Sequence, residues 1–232
     1  VGSDKNQTYL SVGTTNATGI IQNSKYDRYN FTVRNTTSFL KDKMTLDVGF
    51  SYIVQEDRNL MAQGEYFNPL PAVYLFPRGE NFESVRMYKT YDETRKIDVQ
   101  NWSWGDPGYS MKNNPYWVIN EMSNKSKRDR LIGQGRVYYS FMDCLQASFK
   151  AGLDSYTFRF TDFTPMYTPG FVDGLMKEMT NNVMQYNFEM MLRFQKRFID
   201  FDISAFAGGN VMRYEYESMI QTGQSQVIPD LQ

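Results

Sequence analysis

The chain has 232 residues, with 25 lysines and arginines against 26 aspartates and glutamates and a formal net charge of −1. This balance provides no basic surface for a nucleic acid, so no nucleic-acid partner is expected. The sequence contains no histidine and only one cysteine, Cys144. These counts exclude a His-based catalytic triad, an intrachain disulfide and a Cys- or His-rich zinc site, and no metal or cofactor is predicted.

The first strongly patterned part of the chain is a predicted β-hairpin, which follows a weaker strand near residues 7–13. Its first strand places Tyr29, Phe31 and Val33 on one face. In its second strand, residues 44–55, every second residue is apolar over six consecutive pairs, and most of the residues between them are polar or small. Period-two alternation is the signature of a strand with one apolar face, and the charged residues 41–43 predict a tight turn.

Two further hairpins of the same kind are predicted along the chain. One joins residues 131–141 to residues 145–153 through a turn at residues 142–144. The other joins residues 184–194 to residues 199–207, with a turn near Lys196 and Arg197. Aromatic residues make up 16% of the chain and pack well on pleated surfaces, which also favours strands.

The connections between the hairpins are long, at residues 14–28, 56–128 and 161–182. Because antiparallel strands reverse at each connection, all short turns lie at one edge of the sheet and all long loops at the other. This asymmetry is typical of outer-membrane barrels. The apolar patterns cover about 10–13 residues, close to the roughly 9–11 that a tilted spanning strand needs. We therefore predict an all-β fold, an antiparallel meander forming part of a large transmembrane β-barrel, with membrane lipid against its apolar face and long extracellular loops.

Two alternatives use the same residues differently. A soluble carbohydrate-binding β-sandwich shares the alternation and the tryptophans. An outer-membrane hydrolase would use paired carboxylates such as Asp200, Asp202 and Glu189 to flank a glycosidic bond. Because these carboxylates alternate with apolar residues, the simpler interpretation is that they face a wet lumen. No catalytic residues are predicted, and the chain is not expected to be an enzyme.

The connection at residues 56–128 contains every tryptophan of the chain. Flat rings stack on the apolar faces of sugars, and binding sites combine such rings with a few polar groups. The predicted substrate-binding residues are Trp102, Trp104, Tyr109, Tyr116 and Trp117. Their expected polar companions are Asn101, Asp106, Asn113 and Asn114. The alternative is that these rings pack the long loop onto itself or onto a partner.

Several short segments occur in an order and spacing that resemble the SusC/RagA-like family of TonB-dependent outer-membrane transporters of Bacteroidetes. The segments are KYDRYNFT at 25–32, NPL at 68–70, YLFPRG at 74–79, NPYWV at 114–118, RDRLIG at 128–133 and GLD at 152–154. Together they extend over most of the chain.

The resemblance implies a barrel of roughly 22 strands with a plugged lumen, to which residues 1–232 contribute about seven wall strands. The family's plug domain, its TonB box and the remaining strands are not in this chain, so coupling to the TonB complex would run through the missing plug region. The implied function is import of a bulky nutrient, expected to be an oligosaccharide although the family also handles peptides. The implied partner is a SusD-like surface lipoprotein.

Overall fold

The structure, a computed structural model, describes residues 2–60, 64, 66–104 and 113–224. Within them the elements are β1 (Gly2–Ser3), β2 (Asn6–Thr18), β3 (Lys25–Phe39), β4 (Met44–Arg58), α1 (Leu70–Leu75), a 3-10 helix (Phe82–Arg86), β5 (Lys89–Asp92), β6 (Ile97–Gln100), α2 (Pro115–Asn120), β7 (Ser123–Met142), β8 (Leu145–Thr164), β9 (Leu175–Phe198) and β10 (Phe201–Gln224).

Eight of these strands form one antiparallel sheet in the order β1-β2-β3-β4-β7-β8-β9-β10. Every neighbour in the sheet is the next wall strand along the chain, so the sheet is a meander, and the all-β prediction is confirmed. Among its described residues, the connection between β4 and β7 contains two strands, which form the separate β5-β6 hairpin. These described residues therefore add no strand to the wall.

Short turns lie at one edge of the sheet and long connections at the other, as the sequence predicts. The turn between β9 and β10, however, was placed wrongly near Lys196 and Arg197. Phe198 is paired with Phe201, so the turn consists of Ile199 and Asp200, and Ile199 adopts a positive φ of 36°. Lys196 and Arg197 are paired in the ladder with Ile203 and Asp202. The Lys196 ammonium also lies 5.0 Å from the centroid of the Phe198 ring. The two basic side chains are thus accommodated within the ladder and do not interrupt it.

The wall strands extend well past the apolar segments that predicted them. Strands β7 and β8 have 20 residues each, and β9 and β10 have 24 each. The added residues are mainly polar cross-strand pairs at the end that bears the long connections, such as Asp162 opposite Lys177. The connection predicted at residues 161–182 is accordingly reduced to residues 165–174.

The phase of the alternation inverts near the middle of β8. Up to Leu153, the apolar residues of β8 face outward, and Phe149 is 48% exposed on that face. Beyond it, the outward positions become polar, as at Arg159, while Phe158 and Phe160 face the opposite side of the sheet. We call the half of the sheet next to the short turns the lower sheet and the half next to the long connections the upper sheet. The lower sheet is thus apolar on its outer face and polar on its inner face, whereas the upper sheet is polar on its outer face and apolar on its inner face.

No second sheet covers the apolar outer face in the part of the chain that the structure describes, where the only other sheet is the two-stranded β5-β6 hairpin. A β-sandwich needs two packed sheets, so that alternative does not describe this fold. The buried apolar cluster lies instead in the β4-β7 connection and contains Trp117, Val118 and Met122. Among the described residues, no helix is long and apolar enough to cross a membrane.

Candidate functional site: a cavity beneath the long connection

The connection between β4 and β7, residues 59–122, is named here the insert. It starts by continuing the ladder, since the Asn59 amide donates to the Asn124 carbonyl at 2.8 Å and the Asn124 amide donates to the Asn59 side chain at 3.1 Å. Two aromatic residues, Phe67 and Tyr88, pack against its buried cluster. The insert thus has a core of its own, which holds it over the inner face of the upper sheet.

Asn113 and Asn114 fasten the insert together. The Asn113 amide donates to the Tyr66 carbonyl at 2.8 Å and its oxygen accepts from Gln100 at 2.9 Å. Asn114, only 1% exposed, donates to the Val85 carbonyl at 2.9 Å and caps α2 by accepting from the Tyr116 amide at 2.9 Å. Proline at the first position of α2 suits a helix start. These two asparagines were expected to bind sugar hydroxyls, but their polar groups are engaged within the protein.

A charged cluster fixes the end of α2. Glu121 accepts a hydrogen bond from the Tyr88 hydroxyl at 3.1 Å and forms an ion pair with the Lys89 ammonium at 2.9 Å. Burial, together with the Glu121 charge, raises the pKa of Tyr88. Burial alone would lower the pKa of Lys89, but the hydrogen bond and charge of Glu121 outweigh it and raise that pKa overall. At neutral pH Lys89 therefore stays charged and Tyr88 stays protonated.

The structure buries one of the predicted substrate-binding rings, that of Trp117, in the core of the insert. Trp117 is 2% exposed, and its indole nitrogen donates to the Thr168 hydroxyl at 3.0 Å. Its place in the core agrees with the alternative that the loop packs onto itself. Trp102 and Trp104 are half-buried, and Tyr109 and Asp106 lie outside the described residues.

Trp102, Trp104 and Tyr116 retain exposed surface. Trp104 packs edge-on against Phe76, which packs in the same way against Phe82, with ring centroids 5.6 Å and 5.2 Å apart. Tyr116 is half-buried, and its hydroxyl accepts from Arg86 at 3.4 Å. A ligand role for these rings remains a prediction.

Of the carboxylates considered for hydrolysis, Glu189 lies far from Asp202. Asp202 is opposite Arg197 near the short turn, whereas Glu189 is opposite Asn210. Eight residues of β10 separate the two positions, roughly 26 Å along the strand. Within the described residues, no three acidic or cysteine side chains gather as a metal site.

A cavity of about 500 Å³ lies between the insert and the inner face of the upper sheet, and we call it the inner cavity. Its volume falls within the range of small-molecule sites. Its apolar lining includes Phe67, Val118, Ile119, Met122, Phe158 and Phe160. Its polar lining includes Gln55, Asp57, Asn124, Ser126, Arg128 and Asp162.

Two charged residues of opposite sign in this cavity have unused hydrogen-bonding capacity. Asp57 is 9% exposed; one carboxylate oxygen accepts from Ser126 at 2.7 Å and from Gln55 at 3.1 Å, and the other has no partner within the described part of the chain. The guanidinium of Arg128 lies 5.3–5.4 Å from the ring centroids of two aromatic residues of β8, and its buried Nε also lacks a partner there. Buried polar groups are rarely left unpaired, so such groups in a cavity mark a candidate binding site.

Sequence reasoning missed the inner cavity, although one signal for it is present in β8. The change of phase after Leu153 turns Phe158 and Phe160 inward. Aromatic residues on the wet side of a barrel wall need a cover, which the insert provides together with Ile21 and Gln22 of the β2-β3 connection. The phase inversion is the sequence feature from which the site could have been predicted.

Comparisons with known proteins support the fold. No protein-family model matches the sequence, and neither does any curated protein. The similar solved structures include that of the RagAB peptide transporter, with 16% sequence identity and a TM-score of 0.72. The RagAB peptide importer is similar in its open-open state, with 14% identity and a TM-score of 0.68, and in its closed-closed state, with 15% identity and a TM-score of 0.64. The match covers 97–99% of this chain. The chain spans about a quarter of the length of the solved chains it matches, covering 25–26% of them. The fold is therefore that of one part of a larger transporter structure.

Proposed function

We propose that the chain is part of the barrel wall of a SusC/RagA-like outer-membrane transporter that imports a bulky nutrient. The observation that carries this proposal is the single sheet with an uncovered apolar outer band and a polar inner face. An exposed apolar surface of this extent is unstable in water but suits hydrocarbon. The similarity to RagAB transporter structures supports the same function. A SusD-like lipoprotein is the proposed partner at the long connections, and TonB coupling would belong to parts of the transporter outside this chain.

For the substrate, we favour an oligopeptide over the oligosaccharide expected from the tryptophans. A peptide carries an ammonium and a carboxylate, and the inner cavity offers Asp57 and Arg128 to match them. The apolar lining would accept peptide side chains. The three similar structures are described as those of a peptide transporter or importer. An oligosaccharide is the second candidate, favoured by the exposed surface of Trp104 beside Phe76.

Peptide titration of the full-length transporter tests this assignment. The probe is a short Gly/Ala peptide with one ammonium and one carboxylate. Because hydrogen bonds to charged groups contribute about 1.5–3 kcal/mol, Arg128→Met and Asp57→Asn should each weaken binding about 10- to 100-fold. The matched control is Lys150→Met. It removes a charge from the same inner face of the sheet, on β8 and nearer the short turns than Arg128, and the affinity is expected to be unchanged.

Blocking the carboxylate of the peptide tests whether Arg128 is its partner. A C-terminal amide should weaken binding to the unmodified transporter but make little further difference in Arg128→Met, since the same contact is already lost. If the C-terminal amide and Arg128→Met weaken peptide binding additively, Arg128 does not bind the peptide carboxylate. Tight oligosaccharide binding, lost in Trp104→Ala and unaffected by Arg128→Met, would establish the second candidate instead.

Thiol labelling of intact cells tests the orientation. In a Cys144→Ser background, a membrane-impermeant thiol reagent should label Glu80→Cys in the insert but not Asp143→Cys in the β7-β8 turn, although both residues are exposed. Asn113 would be a poor labelling position because it is only 3% exposed. Lysed cells should show labelling at both positions. The opposite pattern in intact cells would refute the orientation.

A further inference from the structure

A row of cationic residues crosses the outer face of the upper sheet. Lys25 of β3 is directly opposite Arg58 of β4, and Arg58 is directly opposite Lys125 of β7. All three are exposed. Residues opposite each other in an antiparallel pair project from the same face, and like charges at such positions repel. The arrangement therefore costs stability unless an anion lies beside it.

The neighbouring carboxylates do not neutralise this row. Lys25 forms an ion pair with Asp27 at 2.6 Å, and the nearby Glu56 is occupied by Lys127 at 2.8 Å. Within the described residues no ion pair joins Arg58 or Lys125 to a carboxylate. Two adjacent cations thus remain for a partner outside this part of the chain.

The surface around the row is concave. A shallow groove of about 430 Å³ lies at the row. Its basic lining residues are Lys25, Arg58, Lys125, Lys127 and Arg159, and its acidic ones are Asp27, Glu56 and Asp57. Arg159 is already paired with Asp129 at 3.2 Å. The groove thus combines room for a small anionic group with free positive charge along one side.

The height of the row on the wall indicates which anion is available. The uppermost aromatic position of the outer face on β3 is Tyr29, opposite Val54. Arg58 lies four residues above Val54, roughly 13 Å along the strand and about 10 Å along the membrane normal at the usual tilt. The headgroup region extends about 5–8 Å beyond the hydrocarbon on each side. Since long basic side chains reach along a surface towards the interface, this row meets the headgroup zone.

We propose that Arg58 and Lys125, flanked by Lys25, bind the phosphate of an anionic lipid in the outer leaflet. This inference rests on the proposed function, because the membrane position of the row follows from it. The planar guanidinium of Arg58 suits two phosphate oxygens at once, and Lys125 adds a second charge from the neighbouring strand. The lipid phosphate relieves the repulsion within the row and holds this part of the wall at a fixed depth.

Lipid binding to the full-length transporter in neutral detergent micelles tests the proposal. The probe is a phosphorylated lipid A, compared with its dephosphorylated form and with inorganic phosphate. The double variant Arg58→Gln/Lys125→Gln should lose at least tenfold in affinity for the phosphorylated lipid, corresponding to about 1.4 kcal/mol. The matched control, Lys41→Gln/Lys43→Gln, removes two exposed cations at the opposite edge of the sheet and should leave the affinity unchanged.

Three outcomes would overturn the proposal, each in a distinct way. Equal affinities in the two double variants would exclude the row as the site. Equal affinity for inorganic phosphate would identify a free-anion site, and loss of lipoprotein capture with lipid binding intact would identify an acidic protein partner. Peptide titration of the same variants separates this inference from the proposed function, since it should be unaffected. Selective lipid binding by a protein that binds no peptide would contradict the assigned substrate and leave the lipid site standing.

Discussion

Replacement of Phe50 or Phe188 by arginine should strongly impair insertion of the full-length transporter into liposomes. Both side chains lie on the uncovered outer face, where they are 39% and 45% exposed. An arginine on the lipid face near the bilayer midplane costs roughly 2–4 kcal/mol. Assembly should be measured as the fraction of protein that becomes protease-resistant, at several denaturant concentrations so that the loss is expressed as a free energy.

Ser51→Arg is the matched control, because Ser51 is the neighbour of Phe50 and faces inward. Its hydroxyl lies 3.0 Å from the hydroxyl of Thr32 on the adjacent strand. The substitution removes that contact but places the new charge beside other polar groups, so its effect should be clearly smaller. Equal losses for Phe50→Arg and Ser51→Arg would contradict the assigned faces of the wall.

The wall was predictable because its signal is local and repeated. In residues 44–55 every second side chain is apolar, and the observed register places Phe50 opposite Val33 and Tyr52 opposite Phe31, as a shared outer face requires. A slip of one residue would reverse the faces, so the apolar pattern fixes the register strongly. The same alternation of apolar residues predicted the strands within residues 131–153 and 184–207.

The ends of the strands were less predictable, since apolar alternation stops where the hydrocarbon is expected to stop while the hydrogen-bonded ladder continues. Polar pairs such as Asp162 and Lys177 sustain the ladder without an apolar pattern. The turn at Ile199 and Asp200 was missed for a related reason. A basic pair in sequence suggests a turn, but at the edge of the sheet Lys196 remains in the strand, paired with Ile203.

The inner cavity could not be assembled from the sequence because the insert folds back over the sheet through contacts between residues that are far apart along the chain. Asp57 and Arg128 are 71 positions apart in sequence, yet they lie on adjacent strands and face the same cavity. The fold of the insert is what covers them. That fold depends on contacts such as Asn114 with Val85, which no spacing rule anticipates.

The insert depends most on Trp117, and Trp117→Ala should therefore unfold it while leaving the wall intact. Large-to-small changes at a fully buried aromatic cost roughly 3–5 kcal/mol, because apolar contact is lost and a cavity remains. The indole also loses its hydrogen bond to Thr168, whose side chain is fully buried. Limited proteolysis of the assembled transporter should show rapid cleavage within residues 59–122 and unchanged resistance of the strands.

Two further variants separate the parts of this effect. Trp117→Phe keeps most of the apolar volume, so it should cost mainly the hydrogen bond, about 1 kcal/mol. Trp104→Ala removes a half-buried ring that packs edge-on against Phe76, and should cost about 0.5–1.5 kcal/mol beyond the apolar area it exposes. If Trp104→Ala opens the insert as far as Trp117→Ala does, the core is not centred on Trp117. If Trp117→Ala weakens peptide binding without increasing cleavage, Trp117 contacts the ligand directly and the buried position found here does not represent the binding state.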